Sequence, residues 1–162
     1  MRFTSRGFYL HADAFLTSEQ THLSRLGAGT PVVLLVEDSE DTRRVLSFEL
    51  RHGGCRVLTA CDGLEAVSTA LSARPDLILM DLNLPRLDGL AAAERIRAHA
   101  ELSEVPIIAL TAFDTYGIKE AAAEAGCQDY LLKPLRPGEL ERVVRGVLPG
   151  VVFAADSSHA DE

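Results

Sequence analysis

The chain has 162 residues, enough for one domain with a real core, and 47% of them are hydrophobic, a globular balance rather than a disordered one. A net charge of −8 and a pI near 5.1 argue against direct nucleic-acid binding, which needs a clustered basic face. No apolar run approaches the roughly 20 residues that span a bilayer.

Residues 1–30 read as an N-terminal extension. His11 and Asp13 interrupt its apolar stretch, so no signal-peptide pattern is present and a cytoplasmic protein is expected. Thr17 and Gln20 have capping-box spacing ahead of Leu23 and Leu26, which predicts a short helix peripheral to any chemistry. His22 lies in that stretch without an ATP-binding segment and reads as a surface histidine. His11, His52, His99 and His159 form no ligand spacing, and neither do Cys55, Cys61 and Cys127, which read as reduced, part-buried thiols.

From residue 31 to 148 the pattern alternates. Continuous apolar runs at 32–36, 77–80 and 107–110 suit strands buried on both faces; weaker strands are predicted at 56–60 and 130–132. Helices are predicted between them. The first, over 40–52, places Val45, Leu46 and Leu50 on one face and stops at Gly53-Gly54. The second, over 64–73, lines up Leu64, Val67 and Leu71. The third starts at Gly89 and runs through Ile96; the fourth covers 116–125. The fifth begins near Pro137, with proline in the first turn, and carries Leu140, Val143, Val144 and Val147. Residues 149–162 read as a flexible C-terminal tail.

Five strand-helix units in alternation predict an α/β domain with a doubly wound, five-stranded parallel sheet and five helices. Ligands in such sheets bind beyond the carboxyl ends of the strands. There the first strand runs into Glu37-Asp38, the third into Asp81, the fourth into Thr111 and the fifth into Lys133-Pro134. Any one of these acids alone reads as a helix cap or a turn. Together they are a rim of repelling carboxylates that calls for a cation. Hard oxygen ligands with open positions suit Mg²⁺, and lysine and threonine suit a phosphoryl group. No glycine-rich nucleotide motif is present.

Residues 32–38, VVLLVED, resemble the first strand and acidic pair of response-regulator receiver domains. Residues 79–89, LMDLNLPRLDG, resemble their phosphoacceptor segment, D-x-x-[LM]-P-x-x-[DN]-G. Residues 108–112, IALTA, and 129–134, DYLLKP, match the family's two remaining elements in order. The resemblance, over about residues 31–148, implies the flavodoxin-like receiver fold with strand order 2-1-3-4-5. It implies Asp81 as the phosphoacceptor, with Mg²⁺ (Mn²⁺ as a substitute) held by Asp38, Asp81 and the main-chain carbonyl of Asn83, and by Glu37 through a water. It implies Thr111, Ala112 and Lys133 as phosphoryl-binding groups, Tyr130 as a switch residue and a cis Lys133-Pro134 bond. Asn83 and Phe113 fall at the positions that tune dephosphorylation.

The resemblance further implies a signalling protein rather than an enzyme. Its donor would be a sensor histidine kinase or a histidine phosphotransfer protein. Its output would be an unidentified protein bound to the face of the fourth helix, fifth strand and fifth helix, with the chain a monomer or a phosphorylation-dependent dimer. With about 14 residues after the fifth helix, the reading is a single-domain regulator; the alternative is a receiver fragment of a hybrid kinase or a DNA-binding regulator. An Asp-nucleophile phosphatase or dehalogenase would need a second acid two residues after the nucleophile or a cap insertion. Asn83 and the short loops speak against both.

Overall fold

The three continuous apolar runs form the middle of the sheet in the computed structural model, which describes residues 29–153. β1 (Val32–Val36), β3 (Leu77–Asp81) and β4 (Ile107–Thr111) are buried almost end to end. Such strands are covered by helices on both faces and have no polar side to show. β2 (Arg56–Ala60) and β5 (Asp129–Leu132) lie at the two edges and expose Arg56, Thr59 and Asp129. All neighbours are parallel and the order is β2-β1-β3-β4-β5, as expected.

Alternate residues of each strand feed two cores. Leu34, Val36, Ile78, Met80, Ile107 and Ala109 face α2 (Gly63–Ala73), α3 (Gly89–Arg97) and α4 (Tyr116–Glu124). Val33, Leu35, Leu77, Leu79, Ile108 and Leu110 face α1 (Glu40–His52) and α5 (Glu139–Val147). A short 3₁₀ turn, Ala100–Leu102, links α3 to β4. Asp62 and Asp88 cap α2 and α3 by accepting from the backbone N–H three residues on, at 2.9 Å each. These caps place the helix starts at the carboxyl end of the sheet.

Four details differ from the sequence reading. Val45 is 58% exposed, because the buried stripe of α1 runs through Leu46, Ser47 and Leu50 and leaves Val45 on the outer side. In α2 the fully buried positions are the small residues Ala66 and Ala70, while Leu64 is exposed and Val67 and Leu71 pack at the margin. Pro137 precedes α5 rather than opening it: Gly138, at φ 77, takes the cap position and the helix starts at Glu139. Cys61 is exposed, whereas Cys55 and Cys127 are buried.

The stretch after α5 also packs more closely than a flexible tail would. Val151 and Phe153 are buried in the α1/α5 core. The Phe153 ring covers Gly53, where a Cβ would lie 2.6 Å from it, and Arg145 donates to the Phe153 carbonyl at 3.1 Å. Apolar burial of this kind outweighs chain entropy when a groove is already formed. The helix expected near Thr17 and Gln20, His22, and residues 154–162 lie outside the described residues. Among the described residues, no helix is long and apolar enough to cross a membrane.

Candidate functional site

The parallel register brings five polar side chains to one edge. Val36 pairs with Met80, Asp81 with Leu110 and Thr111 with Leu132, so β1, β3, β4 and β5 end at one level. Glu37 and Asp38 follow β1, Asp81 and Thr111 are the last residues of their strands, and Lys133 follows β5. Every one of these positions came from the strand-end rule applied to sequence.

Lys133 is the electrostatic centre. Its Nζ lies 2.8 Å from Glu37 Oε2 and 2.9 Å from Asp81 Oδ2. Glu37 is fully buried, and burial pushes its carboxyl above the ordinary range even though Lys133 and the Ser39 N–H pull it back. Burial pulls the Lys133 ammonium down, but its bonds to Glu37 and Asp81 outweigh that, and its net shift is upward. The pair therefore holds a protonated lysine against two acids. Glu37 as a partner of Lys133 was not foreseen from sequence, which read the lysine as a phosphoryl-binding group.

Oxygens of Glu37, Asp38 and Asp81 lie within 4.8 Å of one another, a donor set that fits a hard divalent cation. Both Glu37 oxygens are engaged, Oε1 by the Ser39 N–H at 3.0 Å and Oε2 by Lys133. Asp38 is exposed and presents its carboxylate to solvent. Asp81 Oδ1 accepts from the Asn83 N–H at 2.9 Å, which ties Asp81 to the loop beyond it. Arg43 was missed by the sequence reading. Its guanidinium donates to the carbonyls of Glu37 at 2.8 Å and Asp38 at 3.3 Å and so fixes the acidic turn. Its signal, a lysine or arginine one turn into the helix after an acidic pair, is common on any helix.

At the other side, the Thr111 Oγ1 accepts from the Phe113 N–H at 3.1 Å, closing a small turn. Ala112 and Phe113 are exposed, Phe113 by 61%. Tyr130 is half-buried against the α2/α3/α4 core, and the Lys119 Nζ sits 4.8 Å from its ring centroid. The Lys133-Pro134 peptide is cis.

A model of the response regulator receiver domain matches residues 33–145, most of the chain. The chain belongs to the response regulator receiver family. Among solved structures, the receiver domain of the sensor histidine kinase PA1611 of Pseudomonas aeruginosa is 42% identical with a TM-score of 0.69, over 74% of this chain and 98% of that one; it holds a magnesium ion in its active-site cleft. The chemotaxis protein CheY4 of Vibrio cholerae is 32% identical with a TM-score of 0.71, over 74% of this chain and all of that one. Among curated relatives, the transcriptional regulatory protein PrrA of Mycobacterium leprae is 39% identical over 122 residues, and the alkaline phosphatase synthesis transcriptional regulatory protein PhoP of Bacillus subtilis is 37% identical over 126. This receiver covers 75% and 78% of its own length in those matches and spans about half (52%) of either relative.

Proposed function

We propose that this receiver accepts a phosphoryl group on Asp81 from a sensor histidine kinase or a histidine phosphotransfer protein, and signals through a phosphorylation-dependent change of its α4–β5–α5 face. The observation that carries the reading is the placement of Asp81: a buried carboxylate at the end of β3, gripped by Lys133 and flanked by Glu37 and Asp38. In the transfer, the bond from phosphorus to the donor imidazole nitrogen breaks as one from phosphorus to an Asp81 oxygen forms. Little is needed from the protein beyond alignment and charge neutralisation.

Mg²⁺, or Mn²⁺ in its place, would be held by Asp38, Asp81 and the main-chain carbonyl of Asn83, with Glu37 acting through a water. When bound, the ion supplies positive charge against the phosphoryl oxygens. Lys133 supplies a second positive charge at 2.9 Å from Asp81. The product carries about −1.5 to −2 charges where one carboxylate stood. Thr111 must give up its turn with Phe113 to reach such a group, and Ala112 offers its backbone N–H beside it. The space Thr111 leaves is where Tyr130 turns inward, away from Lys119.

Phe113 and Tyr116, 61% and 76% exposed, give the α4 side an apolar surface for an output protein. A groove lined by Val45, Leu46, Pro134 and Leu135 opens beside Lys133 and suits the approach of the phosphodonor. The net charge of −8 favours a protein partner over nucleic acid. The second reading is a receiver from a longer regulator, favoured by its covering about half of PrrA and PhoP.

Phosphorylation with acetyl phosphate and Mg²⁺, followed by intact mass, tests the assignment. Wild type gains one phosphoryl group and Asp81→Asn gains none; comparable labelling of Asp81→Asn would rule Asp81 out.

A further inference from the structure

The loop from β3 to α3 carries Asn83, and an ion pair that takes no part in the chemistry above ties this loop to α2. Asp62 caps α2 through Oδ1, which accepts from the Glu65 N–H at 2.9 Å, and its Oδ2 accepts from Arg86 Nη1 at 3.0 Å. The Asp62 side chain is only 12% exposed, so few of its lone pairs reach water. The Glu65 N–H first, and the Arg86 guanidinium with it, hold its carboxyl below the ordinary range.

Arg86 itself has φ 66, a left-handed conformation that a long, non-glycine residue seldom adopts. Such a backbone persists where its surroundings hold it. The loop is pinned at two further points. A Cβ on Gly63 would strike the Leu87 carbonyl, and a Cβ on Gly89 would strike the carbonyl of Asp81. Gly89 also donates its N–H to Leu82 at 3.1 Å. Asn83 sits between these clamps, and its N–H is the group that bonds Asp81 Oδ1. Any slip of the loop therefore moves a hydrogen bond to the nucleophile together with the Asn83 carbonyl.

We propose that Asp62 and Arg86 are positioning residues: their ion pair locks the 82–88 loop so that Asn83 meets both Asp81 and the metal. This rests on the metal-assisted phosphoacceptor reading of the rim. The pair acts through Asn83 and touches neither the phosphoryl group nor the ion.

The test uses the full chain carrying Asp62→Asn, Arg86→Ala or both. Asp62→Asn keeps an oxygen to cap α2 and removes the charge. Mg²⁺ binding is measured by calorimetry, Asn83 amide exchange by NMR on the metal-free protein, and phosphorylation by acetyl phosphate across Mg²⁺ concentrations. Arg86 is 63% exposed and solvent screens the pair, so each single variant should weaken Mg²⁺ by about 3-fold. The double variant should lose no more than either single one, and Asn83 exchange should quicken. At saturating Mg²⁺ the phosphorylation rate should return to the wild-type value.

Arg86→Lys, which keeps the charge, should recover most of the affinity. Arg86→Gly relieves the left-handed strain while removing the pair, and should bind Mg²⁺ as weakly as Arg86→Ala even where Arg86→Ala folds poorly. Wild-type Mg²⁺ affinity and Asn83 exchange in these variants, whatever their melting temperatures, would overturn the proposal. Failure of the underlying reading looks different: there wild type binds no Mg²⁺, or Asp38→Ala leaves its affinity unchanged, and the proposal falls with it.

Discussion

From the end of the edge strand β5, Lys133 holds Asp81 at 2.9 Å, and the same Nζ holds Glu37 at 2.8 Å. Glu37 and Asp81 are both nearly or fully buried, so removing the lysine leaves two carboxylates facing each other with little water. Removing one member of a buried charge set costs about 3–5 kcal/mol. Lys133 is 23% exposed, so Lys133→Met should cost about 3 kcal/mol by urea unfolding at neutral pH. Mg²⁺ should stabilise this variant more than wild type, because the ion takes over the neutralising charge. The upward shift of Lys133 also fixes a sign: its contribution is complete below its unfolded value and fades as pH rises through its higher folded value. Wild type should therefore lose stability at strongly alkaline pH by a step that Lys133→Met lacks. Equal unfolding midpoints for the two proteins, with and without Mg²⁺, would remove Lys133 from the centre of the site.

Asp38 is the exposed member of the acidic cluster, and Glu37 has both oxygens occupied. The division predicts that Asp38 is the stronger metal ligand. Asp38→Ala should weaken Mg²⁺ by about 10-fold or more and slow phosphorylation by acetyl phosphate in proportion, since ligand number sets affinity. An unchanged Mg²⁺ titration would reduce Asp38 to part of the turn before α1.

These two residues also show what could be read without coordinates. The runs that became β1, β3 and β4 are apolar at every position because helices cover both faces, and that pattern survives in sequence. Once the strands are placed, the strand-end rule alone gathers Glu37, Asp38, Asp81, Thr111 and Lys133. What pairs with what is a different kind of fact. That Lys133 divides itself between Glu37 and Asp81, or that Arg86 reaches Asp62, depends on rotamers and on how helices seat against the sheet. The exposure of Val45 was hidden for a related reason. Helical spacing put it one step from the Leu46–Leu50 stripe, and small Ser47 fills the buried side instead. Nor does any local pattern tell that Phe153 covers Gly53; a Pro-Gly break followed by a few apolar residues looks like a frayed end.

That last contact makes its own prediction. Phe153 is 7% exposed, packs on Gly53 and accepts a hydrogen bond from Arg145 through its carbonyl. Phe153→Ala should cost about 2 kcal/mol, below the range for a central Phe because the site lies at the margin of the core. Gly53→Val should cost at least as much, since its side chain would occupy the space of the ring. Labelling of Asp81 should be unchanged in both, because the contact lies outside the acidic rim. Unfolding of Phe153→Ala at the wild-type denaturant concentration would show that the segment rests on the surface without holding it.

On the proposed phosphoacceptor reading, the lifetime of the phosphorylated state turns on two side chains at the mouth of the site. Asn83 stands two residues after Asp81, and Phe113 two residues after Thr111. Both are exposed, and on the proposed phosphoacceptor reading both border the path by which water reaches an acyl phosphate on Asp81. Asn83 can hydrogen-bond a water, but Phe113 has no group that orients one or takes its proton. Slow self-dephosphorylation follows, a property suited to a relay or to removal controlled by a partner. Phe113→Glu should speed phosphate loss by about 10-fold, equivalent to about 1.4 kcal/mol in the barrier. Phe113→Leu, apolar like the original, should stay near wild type and separates chemistry from bulk. The measurement is the decay of phospho-Asp81 after the donor is removed, with Mg²⁺ present. Decay of wild type within seconds, or an unchanged rate in Phe113→Glu, would mean that water reaches the acyl phosphate by a path Phe113 does not control.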